Sequence, residues 1–405
     1  MANFAAPPVE VPPITIGIER PSEDFIRNST RRVELSVSGG KRLERLDKLH
    51  EAMKISLGGL YPCPEVVQAI LAPVAGETKR VLDIGCGSRI WSVEMAREFP
   101  HVEVLGLDVP QAIEHWKGEY PKNARFEATN FQFAMPEKYL NRFDIIHLRF
   151  IASAFSQFQK SLEEIQDCLK PGGLLILVDS TGLIMGEDKV SVPRMRSSSN
   201  PNGSQLQRLF YEIRNANASL GLDEFAMRAT LEEGLWDNTQ LDECGAAEVL
   251  VPIGGWVQAP DPLVERNLRK AGRLMGQNLE HIQHSHHHML QNLGFPTGLS
   301  REWKKIAAAE INDPNRKTLL DVRVLWGRRR AGDDLPAPPL PIPSMGSEEG
   351  DRTPRPPAPA QQNRFTSPFY RVCRTHREWQ RISEVRQNAN GWIPEPTPFV
   401  FRRHH

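Results

Sequence analysis

Apolar residues recur along this chain in short runs separated by stretches of helical spacing, and their order predicts an α/β fold. Strands are predicted at 80–84, 102–107, 124–128, 143–148 and 173–178. Helical spacing predicts helices over about 89–98 and 151–169, and Lys170-Pro171-Gly172-Gly173 reads as a helix stop before a strand. Upstream, Leu43, Leu46, Leu49 and Met53 mark a helix over 41–57, and Pro62 and Pro64 open a shorter one from Glu65 to Leu71. Strand alternating with helix means parallel pairing through right-handed crossovers. Past Asp179 the pattern changes. Residues 184–205 are polar, with Ser197-Ser198-Ser199-Asn200-Pro201-Asn202-Gly203 as a loop. Helices are predicted from Ser204 to about Ala218, from Thr230 to Cys244, over 261–293 and over 300–311. A sixth strand fits Ala247 to Ile253 and a seventh Leu319 to Trp326.

The ends read differently. Pro7, Pro8, Pro12 and Pro13 argue against regular pairing near the N-terminus, so 1–40 is expected to be disordered. Nine of the 26 residues from Leu335 to Ala360 are proline, which predicts an extended linker over 331–360. The segment 361–405 is basic and aromatic, with eight arginines against three glutamates beyond Asn363. It reads first as a solvated tail whose aromatics pack locally or onto the domain, and second as a docking segment for a protein or an acidic surface. The ordered domain is then 41–330, with a cap within 181–318.

Composition narrows the chemistry. Fifty basic residues balance fifty acidic ones, so net charge offers no argument for nucleic acid or a membrane. No apolar run approaches the ~18 residues of a membrane span, and the N-terminus lacks the basic-then-apolar pattern of a signal peptide. Five scattered cysteines without a C-x-x-C pair fit reduced thiols in a cytoplasmic or nuclear protein.

The candidate chemistry lies in the first βαβ unit. Val81 to Ile84 run into Gly85 and Gly87, and Val102 to Leu107 into Asp108. Glycine permits the sharp strand-to-helix turn and lets a ligand lie against the main chain. An acid closing the second strand about 20 residues on is placed to grip ribose hydroxyls. Arg89 and Ile90 break the spacing of a dinucleotide loop, so an NAD-dependent oxidoreductase is disfavoured. The loop is nearer an adenosyl-methionine pattern, with Arg89 in place of its third glycine. Among five histidines near the end of the 261–293 helix, His281, His284 and His288 share a helical face, read as exposed and polar rather than as a metal site. No Gly-x-Ser-x-Gly elbow supports a hydrolase.

Taken together, these pieces resemble the fungal LaeA-like S-adenosylmethionine-dependent class I methyltransferases. The likeness runs over about 46–330. It is carried by Leu46-Asp47-Lys48-Leu49-His50 with Gly58-Gly59-Leu60-Tyr61, by Val81-Leu82-Asp83-Ile84-Gly85-Cys86-Gly87 followed by Ile90-Trp91, and by Phe99-Pro100. Phe143 to Arg149, Leu169 to Gly173, Val251 to Trp256 and Trp326-Gly327-Arg328 continue it. The resemblance implies a Rossmann-like seven-stranded sheet with a helical cap between disordered tails. It implies S-adenosyl-L-methionine held by Asp83, Gly85, Cys86, Gly87, Asp108, Val109, Asn130 and Phe131, Asn130 standing where many relatives place an acid. His147, at the end of the fourth strand, is the candidate general base for an oxygen acceptor, or else a residue that contacts the cofactor or fixes Arg149. Tyr61 is expected to cover the cleft. No metal is implied. The activity expected is methyl transfer to a small-molecule secondary metabolite. The competing reading is a methyltransferase-like regulator of secondary metabolism that acts by binding a protein partner, with the C-terminal tail as contact.

Overall fold

The computed structural model describes residues 39–109, 119–129, 135–151, 154–331 and 367–390, with backbone only at 39–41, 284 and 285. Asn130 and Phe131, nearly all of the proposed linker and most of the N-terminal segment lie outside the described residues. The apolar runs form parallel strands β1 (Lys79–Ile84), β2 (Val102–Asp108), β3 (Ala124–Ala128), β4 (Phe143–Arg149) and β5 (Leu169–Met185). Strands β6 (Leu241–Ile253) and β7 (Thr318–Arg329) add an antiparallel pair, and β8 (Tyr370–Cys373) closes the row. The order is β3-β2-β1-β4-β5-β7-β6-β8.

Alternation along each strand feeds two cores. Val81, Ile145, Leu174 and Ile176 face α1 (Gly39–Leu57), α2 (Pro64–Ile70), α3 (Ile90–Glu98), α7 (Pro262–Asn292) and α8 (Thr297–Asn312). Leu82, Ile84, Ile146, Leu175 and Leu177 face α4 (Phe158–Gln166), α6 (Glu224–Glu233) and α9 (His376–Asn390). Helix α5 (Gln205–Ser219) sits over the end of β5, where Gln207 accepts from the Ile184 amide at 2.8 Å.

Three expectations are corrected. The helix predicted over 151–169 is confined to α4, and β5 already begins at Leu169, ahead of Pro171, because Leu169 pairs with Phe143. The helix predicted from Thr230 to Cys244 is displaced towards the N-terminus and ends at Glu233 as α6. Asp223 caps that helix by accepting from the Ala226 amide, Gly234 (φ 86) ends it under the Trp236 ring, and the chain then enters β6. The C-terminal segment is not wholly a tail, and it adds an eighth strand to the seven expected. Residues 370–373 pair with Ala246 to Val249 of β6, and α9 buries Trp379 completely against the second core.

Candidate functional site

The first βαβ unit builds a tight loop at the carboxyl edge of the sheet. Gly85 (φ 71) and Gly87 (φ 53) are both left-handed, a conformation that side chains resist. A Cβ at 85 would meet Ile151 at 2.5 Å, and one at 87 would meet Leu46 of α1 at 2.9 Å. The amides of Gly85 and Cys86 donate to the Leu107 carbonyl at 2.8 and 3.0 Å, which ties the loop to β2. Asp108 then accepts from the Gly87 amide at 2.6 Å and from the Val109 amide at 2.8 Å. Burial pushes its carboxyl above the ordinary range, against the pull of Arg42 and those two amides. A carboxylate offers about four lone-pair sites, so two amides do not exhaust it.

Arg89 takes the left-handed position (φ 67) that a third glycine would fill, at the N-cap of α3. Its guanidinium lies 4.9 Å over the Phe126 ring of β3, on the α3 face of the sheet. Burial lowers its pKa, and Asp108 is among the groups that favour its charged form. The Cys86 sulfur points the same way, since a Cβ on Gly106 would lie 3.0 Å from it. The Cys86 amide donates to Leu107 and its carbonyl accepts from the Arg89 amide at 2.7 Å, so the residue fixes the loop.

His147 is not in the cleft. It is 3 % exposed, stacks on Trp91 with ring centroids 3.7 Å apart, and its Nδ1 lies 2.9 Å from Asp83. Asp83 also accepts from the Ser92 hydroxyl at 2.6 Å, so it fixes the start of α3 from below the loop. Burial lowers the His147 pKa even beside that carboxylate, and a neutral ring donates Nδ1–H to it. Asp83 and His147 thus form one buried group with Ser92 and Trp91 at the start of α3. Next to them His50 lies 3.1 Å from Arg149 and 3.4 Å from Glu94. Tyr61 does not cover the cleft either. It is buried, and its hydroxyl donates to Glu98.

A cavity of about 270 Å³ lies beside the loop, walled by α1, β5, α5, α6 and α7. Two chain segments touch both. Phe150 lines the cavity, and its neighbour Ile151 covers Gly85; Leu46 covers Gly87, and Arg45 and Leu49, on the same helix, line the cavity. Phe150 has φ 55, an uncommon conformation for an aromatic residue and one that marks functional turns. Glu224 of α6 reaches the cavity, accepts from Asn217 at 2.6 Å, and shares the wall with Asp179. Burial pushes the Glu224 carboxyl up to about 7, the Asn217 hydrogen bond pulls against it, and Asp179 adds to the rise. No spacing rule marks Phe150, Asn217 or Glu224 in the sequence, because they come from three separate elements. Of the histidine group, His286 lines the cavity and His288 is exposed. No cluster of three metal-ligating side chains occurs among the described residues.

Comparison with known proteins agrees with this architecture. Residues 60–213 match the methyltransferase domain family. Over 153 residues the chain is 30% identical to the secondary metabolism regulator laeA of Coprinopsis cinerea, covering 38% of this chain and 37% of that protein. It is 26% identical over 156 residues to the N-methyltransferase verN of Clonostachys rogersoniana, covering 37% and 51%. It is 32% identical over 130 residues to the methyltransferase str3 of Strobilurus tenacellus, covering 31% and 45%. The matched stretch thus spans between about a third and half of these relatives. With its paired left-handed glycines and the acid closing β2, the chain carries over residues 60–213 a segment that matches the methyltransferase domain family, and it is similar to the laeA regulator and to named fungal methyltransferases.

Proposed function

We propose that this protein methylates a small-molecule acceptor of secondary metabolism, held in the cavity beside the glycine loop. The observation that carries the proposal is the double contact of α1 and of Phe150-Ile151. Each touches the glycine loop with one residue and the cavity with another nearby, so donor and acceptor sites share a wall. S-adenosyl-L-methionine suits the loop. Asp108 keeps acceptor capacity at the strand end, while Gly85 and Gly87 give the left-handed turn and pack closely under Ile151 and Leu46. When bound, the cofactor supplies an already activated methyl group. The chain's own work is positional: Asp108 and Val109 orient a nucleoside, the glycines make the tight turn that brings the loop to it, Asp83 holds the loop from beneath, and the cavity aligns the acceptor. Asn130 and Phe131 are assigned to the adenine by sequence position alone.

Calorimetric titration of the full chain with S-adenosyl-L-methionine tests this. Binding is expected, and Asp108→Ala should weaken it about ten- to a hundredfold, the value of a hydrogen bond to a charged group. Absence of heat with the native chain, or unchanged affinity in the variant, would sink the assignment. A second reading is regulation through a protein partner, favoured by the likeness to a protein described as a regulator. Residues 370–390 form β8 and α9, so a contact there would use a folded edge of the sheet rather than an extended tail. Among the described residues no helix is long and apolar enough to cross a membrane.

A further inference from the structure

We propose that Glu224 is the proton acceptor of the transfer, and that the acceptor molecule is a small one-ring compound bearing an ionisable hydroxyl. This deepens the methyltransferase reading and rests on it. The cavity is a little below the usual ~300–1,000 Å³ of small-ligand sites, which limits the acceptor to a compact body. Phe150 and Phe210 give it aromatic walls. Its charges are close to balance: Arg45 and Arg214 stand against Asp179 and Glu224, and Arg228 is paired with Glu232 at 2.9 Å. A buried carboxylate in such a wall suits an acceptor that gives up a proton as it reacts.

Glu224 is buried at the first turn of α6, held by Asn217 from α5. The groups that act on it are Asp179 from β5, Arg214 from α5 and Arg228 from its own helix, while Arg45 of α1 and His286 of α7 share the cavity. Asp179 and burial favour its protonated form, and the arginines oppose them. A carboxyl balanced near neutrality takes a proton and returns it to solvent readily. His147, the other basic group considered for the role, is sealed between Trp91 and Asp83. In the transfer the hydroxyl oxygen forms a bond to the methyl carbon as the carbon–sulfur bond breaks, and sulfur keeps the electron pair. The hydroxyl proton passes to the Glu224 carboxylate. The products are the methyl ether and S-adenosylhomocysteine.

The test uses the full chain and 4-nitrophenol, whose phenolate is coloured and which ionises near neutral pH. Its affinity is measured by absorbance titration from pH 5 to 9. The native chain should show a bell, greatest where phenol and Glu224 hold one proton between them. On the alkaline side affinity should fall about tenfold per pH unit, because two anions then meet. Glu224→Gln should abolish that fall, so affinity rises to an alkaline plateau. Asp179→Asn should keep the bell and move its acid limb to lower pH, which serves as the test should Glu224→Gln fail to fold by circular dichroism. Identical profiles for all three proteins would overturn the role of Glu224. S-adenosylhomocysteine titrated into the same sample separates the two levels. If it binds and 4-nitrophenol does not, the hydroxyl-acceptor proposal falls and the methyltransferase reading stands. If neither binds, the methyltransferase reading falls and the proposal goes with it.

Discussion

The imidazole of His147 lies face to face with Trp91, and its Nδ1 meets a carboxylate that also holds Ser92. Its removal costs a stacking contact and a hydrogen bond to a buried charged group. His147→Ala should therefore lower stability by about 2–4 kcal/mol, read as a drop in the denaturant midpoint. A variant of native stability would show that the ring is not part of the scaffold. Gly85, Gly87 and Asp108 were legible in the sequence because their task is local: a turn, and the last residue of a strand. His147 was legible as a strand end, and alternation puts it on the face of Asp83. That α3 then brings Trp91 across it depends on helix packing, which no local pattern states. Arg89 shows the same limit. The sequence marks it as a departure from glycine, while its course over Phe126 is decided by a neighbour two strands away.

At the scale of elements, β8 and α9 cover the outer side of β6. Arg386 of α9 donates to Asp321 of β7 at 3.0 Å and to Glu248 of β6, and Arg323 joins the same buried group. Asp321 in turn accepts from Thr181 at 2.7 Å, a residue of the cavity wall. Two buried carboxylates depend on these arginines. Arg386→Ala should therefore destabilise the chain by about 3–5 kcal/mol, whereas Arg381→Ala, on the same helix but exposed, should stay within about 0.5 kcal/mol. Thermal melting of the two variants checks this, and equal midpoints would refute the staple. Composition gave this region as basic and aromatic, and both features are present. Its basic residues read as a solvated face because the acids that receive Arg386 lie 65 and 138 positions away. The helix expected over 230–244 survives only as the end of α6, Thr230 to Glu233, because Gly234 ends it and the chain from Leu241 pairs with β7.

For the molecule as a whole, buried ionisable groups set the response to pH. Burial lowers the pKa of His50 and His147, and brings His286 to about 4. Each is neutral in the fold while the unfolded ring protonates below 6.5. Their contribution is full above pH 6.5 and falls as the pH drops below it, that of His286 being lost towards pH 4. Glu224, raised to about 7, works oppositely: its contribution is full below 4.5 and is lost as pH rises through 7. Glu94 is pushed up by burial, but hydrogen bonds from His50 and Lys54 hold it at about 2, so its share is lost only between pH 4.5 and 2. The three imidazoles act against two raised carboxyls, Glu224 and Asp108, and the urea midpoint should fall between pH 7.5 and 4.5, more steeply in Glu224→Gln. A midpoint constant over that range would contradict the assigned burial. By itself the sequence determined the order of strands and helices, the parallel half of the sheet and the glycine loop with its acid, because each depends on residues adjacent in the chain. Only the tertiary structure decided that His147 is enclosed, that 370–390 completes the sheet, and that Glu224 faces a cavity beside the loop. Those outcomes rest on contacts between elements far apart in sequence, where burial sets both the partner and the charge of each side chain.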